Sequence, residues 1–453
     1  MKYLLRSVTI ILLSIASIGG FSQSINFMRE NDQRGIHKFE TNKAADTVPF
    51  DGLKVRIGGA FTQQFQALTH SNTAQANWDT IGTNSFNLNK LYPLASGFNL
   101  ATANLRIDVQ IADGIRVALE NYMSSRHHSE FWVKGGYIQI DKLPMLGDPD
   151  WFSKYLTVRI GHFGVNYGDQ QFRRSDNGNT IFNPFVGNLI MDAFTTEIGG
   201  EVYLYPVDGV FIMGGLTSGL LNADIKQAYL PDNTELKKNP SILAKAGFDK
   251  QLTDNLRFRL TGSLYTNPGT TRNTLYAGDR TGSRYYMAAE PERIVSGGAF
   301  VLTTPAAQFT SGAINPNFTK RVTAFQLNPF IKVGGLEFFG TYEIANGSEA
   351  STLAVMDPES RKFTQMAGEL VYRFLPREQL FVGARYNTVK GQLAAGADDI
   401  SVDRTQLSAG WFATPNMLLK LEYVNQKYND FAPTDYRNGL KFNGLMVEAA
   451  IAF

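Results

Sequence analysis

Cysteine is absent from all 453 residues, which excludes a disulfide framework and a lipid-modified N-terminal cysteine, and removes the commonest structural zinc spacings. Long apolar runs are nearly absent as well. Past residue 22 no stretch approaches the roughly 20 apolar residues that a spanning helix needs, and a mean hydropathy of -0.18 excludes a helical membrane bundle. Histidine is scarce, with only His37, His70, His127, His128 and His162 in the chain. His127 and His128 adjoin in SSRHHSEF, a loop candidate, and the alternation of RIGHFGVNYG puts His162 on its apolar face. Neither placement suits a metal site or a catalytic base, so no metal is expected. G-x-S-x-G, P-loop and Rossmann glycine patterns are missing in any suitable context, so neither an enzyme nor a cofactor is expected. Net charge is the last absence. Without Lys2 and Arg6 the basic residues fall from 43 to 41, equal to the 41 acidic ones, and bulk charge argues against nucleic acid as a partner.

What is present begins with an export pattern. Lys2 and Arg6 precede an apolar run through Ile18, with Gly20 and Ser22 at minus three and minus one of a cut before Gln23. The expected organisation is a cleaved signal peptide over 1–22, a flexible periplasmic segment over 23–50 and a barrel over 51–453. The polar stretch SINFMRENDQRGIHKFETNKAADTVPF could otherwise serve as a short plug, but its lack of pattern favours the flexible lead.

From residue 51 onward, segments of about ten residues alternate apolar and polar. In LKVRIGGAF, Leu53, Val55, Ile57 and Phe61 oppose Lys54 and Arg56; in NLRIDVQIADG, Leu105, Ile107, Val109 and Ile111 oppose Arg106, Asp108 and Gln110. A soluble sandwich has the same period but shorter strands, whereas lipid-facing strands run to about 9–11 residues with aromatics at the rims. Length and rim residues such as Tyr203, Tyr205, Tyr372, Phe374 and Tyr423 favour an all-β, transmembrane antiparallel barrel. Short joints at ADG, YPVDG, QLTDN, KVGG, LPREQ and TPN carry turn residues and suit the periplasmic side, while longer polar segments between them suit external loops. The candidates come to an odd number, one too many for a single-chain bacterial barrel. Demoting 293–304, so that 267–320 becomes one long external loop, leaves sixteen strands, with fourteen and eighteen as alternatives.

Parity turns charged residues of both signs inward. The pore-lining candidates are Arg56, Arg106, Arg116, Arg159, Arg257, Arg259, Arg385, Glu197 and Glu201. In a barrel this wide they could stay hydrated around a water-filled channel. The last residues, LMVEAAIAF, keep the alternation to the end: Leu445, Val447, Ala449, Ile451 and Phe453 face lipid and Glu448 faces inward.

With this export signal, loop rhythm and closing LMVEAAIAF, the chain resembles outer-membrane porins, most nearly the phosphate-selective porin O and P type found in Bacteroidota. The resemblance implies residence in the outer membrane of a Gram-negative bacterium, in contact with its lipid. It also implies recognition of the last strand and Phe453 by the barrel-insertion machinery, and a homotrimer. In such porins the third external loop folds inward and narrows the barrel. Carried over to YGDQQFRRSDNGNTIFNPFVGNLIMD, that implies constriction candidates Asp169, Arg173, Arg174 and Asp176, with Asn183, Pro184 and Phe185 wedging the loop against the wall. Phosphate-selective members cluster lysines along the pore, and inward lysines are sparse here. The expected function is therefore passive diffusion of small hydrophilic solutes or ions, anions among them. An outer-membrane transporter for hydrophobic solutes would need an apolar lumen and an N-terminal plug; a structural or adhesion barrel would use the 267–320 loop to bind a partner.

Overall fold

The computed structural model describes residues 25–40, 43, 47–81, 83–125, 130–175, 178–219, 238–270, 272–278, 285–296, 299–349 and 359–453. The expected signal over 1–22 lies outside them, as do Asp176, His127 and His128. Sixteen antiparallel strands close into a barrel. In chain order they are Lys54–Ser71, Gly97–Ala112, Ile115–Ser124, Trp132–Ile140, Leu156–Gly164, Thr196–Leu204, Val210–Thr217, Ser241–Thr253, Leu256–Asn267, Arg321–Val333, Leu336–Ser348, Arg361–Phe374, Leu380–Gln392, Asp399–Thr414, Met417–Asn429 and Lys441–Ala452. The demoted stretch does form strands, Arg293–Ser296 and Ala299–Leu302, but they pair only with each other, as do Trp78–Ile81 and Asn84–Asn87. Both small hairpins belong to long connections.

Neighbouring strands pair in sequence, and the last pairs with the first in a register that sets Phe61 opposite Ile451 and Gln64 opposite Glu448. Beyond the final strand, the Phe453 N–H donates to Gly59 O at 3.0 Å and the Gly59 N–H donates back at 3.1 Å. Closure leaves no unpaired edge, a condition for strands in lipid, where no water satisfies free amide groups. Short turns gather at one end. Their sharpness explains their residues: in ADG the chain reverses between Ala112 and Ile115 with Gly114 at φ 69°, a left-handed value that costs glycine nothing. The one long connection at this end, 141–155, is filled by the 3-10 turn Pro144–Leu146 and the helix Asp150–Tyr155.

Outward positions are apolar and exposed around the barrel, among them Val55, Ile57, Phe61, Ile160, Val202, Leu370, Tyr372, Val382, Leu407, Leu421 and Val447. So continuous an apolar belt is stable only against lipid tails. Of the closing row, Leu445, Val447, Ile451 and Phe453 are exposed outward and Glu448 is fully buried inward. Aromatic contacts reinforce the rim, with Tyr372 and Phe374 edge to face at 4.7 Å and Phe61 stacked on Phe453 at 6.5 Å.

Candidate functional site

The connection 165–195 does not stand above the barrel; it folds into it. Its base is closed by the Val165 N–H on Thr195 O at 3.1 Å. Irregular backbone inside a barrel needs partners for its amide groups, and the inward side chains of the wall supply them. Lys420 Nζ donates to the carbonyls of Thr180, Asn183 and Phe185 at 3.0–3.2 Å. Arg385 donates to Gly187 O at 2.8 Å and lies 4.1 Å over the Phe185 ring; Arg404 donates to Asn188 O at 2.6 Å. The amides of Val186, Ile190 and Met191 donate to Glu422, Asn387 and Gln365 at 2.7–2.9 Å. Phe185 is fully buried and reaches toward Gly383, where a β-carbon would sit 3.3 Å from its ring. Asn183 and Phe185 thus hold the loop against Lys420, Arg385 and Gly383 of the wall.

The constriction candidates anchor this loop more than they face open space. Asp169 is fully buried, with its carboxylate 2.8 Å from both Lys245 and Arg259. Burial alone would raise its pKa, but those two cations outweigh it and hold the carboxyl well below the usual range. Arg173 pairs with Glu369 at 3.1 Å and lies 4.8 Å over Phe339; Arg174 pairs with Asp192 at 2.6 Å and lies 4.1 Å over Phe194. Asn166, Gln171, Phe172 and Asn179 of the loop border the free volume beside the strands Gly97–Ala112 to Leu156–Gly164. No charge pattern marks them in the sequence.

A second segment, within 268–320, packs into the long-loop end over its described residues. Tyr276 donates to Glu343 at 2.7 Å and Tyr285 to Glu422 at 2.6 Å, while Tyr167 of the first loop also donates to Glu343, at 3.0 Å. Around these bonds the loop residues Leu275, Ala288, Ile314 and Phe318 join Val322, Phe363, Val389, Val402, Val424 and Phe442 of the wall in one apolar core.

The stretch expected to be a flexible periplasmic lead is instead seated inside the short-turn end over its described residues 25–40. Gln33 N–H donates to Pro415 O at 2.9 Å, His37 Nε2 lies 2.5 Å from Glu337, and Glu40 pairs with Lys245 at 2.8 Å and Arg259 at 2.6 Å. Its polar residues carry no strand or helix period because their partners are pore-facing side chains far away in sequence.

Two cavities adjoin the N-terminal segment. One of about 1060 Å³ opens at the short-turn end, and one of about 200 Å³ lies against Gly97–Ala112, Ile115–Ser124, Trp132–Ile140 and Leu156–Gly164. The smaller is lined by Arg29, Arg106, Arg116, Lys134 and Arg159 against Glu40, Asp108 and Glu120, so cations outnumber carboxylates there. Arg106 reaches Glu120 at 3.5 Å and Asn31 at 2.8 Å; Arg116 is bonded to Asp108; Arg159 reaches Glu201 at 3.5 Å and lies 4.9 Å over Tyr137. Arg56, Arg257 and Arg259 line the larger cavity, Arg257 paired with Asp249 at 2.8 Å. The pore-lining candidates therefore divide. Arg385, Glu197 and Glu201 are buried and bonded, not hydrated: Glu197 accepts from Tyr265 at 2.5 Å, and Glu201 from Tyr203 at 2.7 Å and from the Asn166 amide at 3.0 Å. Their partners lie inside the barrel, where the internal segments, which alternation does not place, took the space beside them.

Among the described residues, His37, Glu337 and Glu378 converge closely enough to suggest a metal. Their carboxylates are already taken, Glu337 by Arg373 and Glu378 by Lys332, each at 2.5 Å. A divalent ion would have to displace two fixed cations, so these residues do not fit one.

No protein-family model matches the chain, and no curated protein matches it. Solved structures resemble it in shape. An anion-selective porin from Comamonas acidovorans superposes with a TM-score of 0.49 at 11% identity, over 88% of this chain and 100% of that one. The outer-membrane channel DcaP of Acinetobacter baumannii gives 0.49 at 11%, over 90% and 99%. OmpT, an outer-membrane protein of Vibrio cholerae, gives 0.48 at 9%, over 90% and 100%.

Proposed function

We propose that this chain is a porin-type channel of a Gram-negative outer membrane, passing small hydrophilic solutes or ions by diffusion, with anions favoured. The observation that carries the reading is the offset of the internal loop. Over its described residues the loop 165–195 is bonded to wall side chains from Glu201 and Lys245 round through Arg259, Asn328, Glu343 and Gln365 to Lys420, and the smaller cavity lies against the remaining wall among Arg29, Arg106, Arg116, Lys134 and Arg159. Fixed guanidinium groups beside a narrow aqueous path concentrate anions there. Asp169, Arg173 and Arg174 then narrow the path indirectly, by holding the loop in place. In this reading 1–22 is a cleaved export signal, the short turns face the periplasm, and the strand ending at Phe453 is read by the insertion machinery. A homotrimer and kinship with Bacteroidota phosphate-selective porins remain part of the proposal by resemblance. The purified chain in a planar bilayer under a KCl gradient should give ohmic steps with a reversal potential on the anion side. Repeatable absence of conductance would overturn the reading.

One observation favours a second reading, a transporter for hydrophobic solutes: the long-loop end of the lumen is apolar and residues 25–40 sit inside the barrel. It predicts saturable binding of a fluorescent fatty acid by a protein that does not conduct.

A further inference from the structure

The two cavities meet at the N-terminal segment. The residues bordering both are Phe27, Met28, Arg29, Phe39, Glu40 and Tyr205, five of them within 25–40. The segment is held there from several sides of the barrel. Arg106 donates to Asn31, Gln139 to Phe27 O at 3.3 Å, and Gln33 Nε2 to Arg377 O at 2.7 Å, while Phe39 meets Phe330 and Phe172 edge to face at 5.7 Å. It forms a partition between the mouth and the inner cavity, and its composition sets the charge of that partition.

Only Arg29 and Glu40 of the shared residues are charged. Glu40 is neutralised by Lys245 and Arg259. Arg29 is not neutralised: among the described residues no carboxylate lies within ion-pairing distance. Its Nε donates to Gly35 O at 2.8 Å, its Nη1 donates to Phe172 O at 3.0 Å, and its guanidinium stacks 3.8 Å over Phe182. Burial, with Arg106 and Arg173 nearby, pushes Arg29 down to about 9, which leaves it protonated at neutral pH. A fixed positive charge with Glu30 nearby but no carboxylate of the described residues within ion-pairing distance, bordering both cavities, is well placed to act on passing ions.

We infer that Arg29, contributed by the N-terminal segment, makes the largest single contribution to the charge selectivity of the passage, ahead of the carboxylate-paired cations of the barrel wall. This rests on the channel reading. The test is the reversal potential of the full chain in a planar bilayer under a KCl gradient, for wild type, Arg29→Lys, Arg29→Gln and Arg29→Glu, each checked for folding by heat-modifiable gel mobility. The chloride-to-potassium permeability ratio should fall by roughly threefold or more in Arg29→Glu, fall less in Arg29→Gln, and stay near wild type in Arg29→Lys. A merely structural role would change conductance or noise in Arg29→Lys and Arg29→Gln alike without ordering the ratio by charge. An unchanged ratio in conducting Arg29→Glu overturns the inference while the channel reading stands; if Arg29→Glu does not fold, an unchanged ratio in Arg29→Gln does so. A wild type that never conducts removes the channel reading and this inference with it.

Discussion

The five strands from Arg361–Phe374 to Lys441–Ala452 and the four from Gly97–Ala112 to Leu156–Gly164 share one period, yet their inward rows meet different surroundings. The first sector is covered. Its inward ends are apolar, with Phe363, Val371, Phe381, Val389, Ile400, Val402, Phe412, Leu418, Val424 and Phe442 buried under the internal segments, and its charged residues lie between them, bonded to loop backbone. The second sector is open. Its inward row is Arg106, Asp108, Arg116, Glu120, Lys134, Tyr137 and Arg159, and a cavity adjoins it. The difference teaches that an inward ion has two uses. Beside water it sets a field at little cost in stability; under a loop it must be fully bonded, because an unpaired buried charge is severely destabilising.

The contrast can be broken most sharply at Lys420. Lys420→Met leaves Glu448 buried without its partner at 2.5 Å and frees three loop carbonyls. The expected loss is about 3–5 kcal/mol, read as a lower denaturant midpoint in detergent, with a larger and noisier conductance as 165–195 unseats. Next comes Tyr285→Phe, which strips the hydroxyl from buried Glu422. It should cost about 1–3 kcal/mol and speed external protease cleavage within 268–320. Arg106→Gln in the open sector should be smaller still in stability, about 0–1 kcal/mol, since Arg106 and Glu120 are 24% and 20% exposed and 3.5 Å apart. Its ion selectivity should nevertheless shift toward cations under a KCl gradient. An equal stability loss at Arg106 and Lys420 would dissolve the distinction between the sectors.

The smallest effect should be the pH response of Glu290, in the 268–320 loop. Burial lifts its carboxyl from the ordinary glutamate range to about 7, against the pull of the Ala289 N–H and the Ser311 hydroxyl. The folded state therefore holds a proton that the unfolded state has released above the ordinary glutamate range, so seating of this loop weakens as pH rises from that range toward 7 and levels off above it. Hydrogen exchange in the loop should show the gap between wild type and Glu290→Gln widening from pH 5 to pH 8. A gap that stays constant would mean that Glu290 does not couple to loop seating.

Much of the architecture was legible because a barrel strand reports itself locally. The period of two in LKVRIGGAF or LTVRIG, and turn residues such as Gly114, are visible within ten residues, and strand number followed from even parity once 293–304 was set aside. The covered sector left a trace too. Phe381 and Val389 in FVGARYNTVKG are apolar on the inward face, which a strand lining water throughout would not show. That signal could have told loop-covered wall from open wall. Residues 25–40 left no such trace: Asn31, His37 and Glu40 find partners in Arg106, Glu337 and Lys245, at sequence separations no local pattern spans.

Sequence by itself determined the closed sheet and which face of each strand meets lipid, and it assigned charged strand residues to the inward face, because side-chain alternation is a property of the extended backbone alone. Only the tertiary structure decided which of those inward charges still border free volume. The loop at 165–195 and the segment at 25–40 occupy space by shape and by bonds to distant side chains. That competition buried Arg385 and Glu201, left Arg159 beside a cavity, and brought Arg29 between the two cavities.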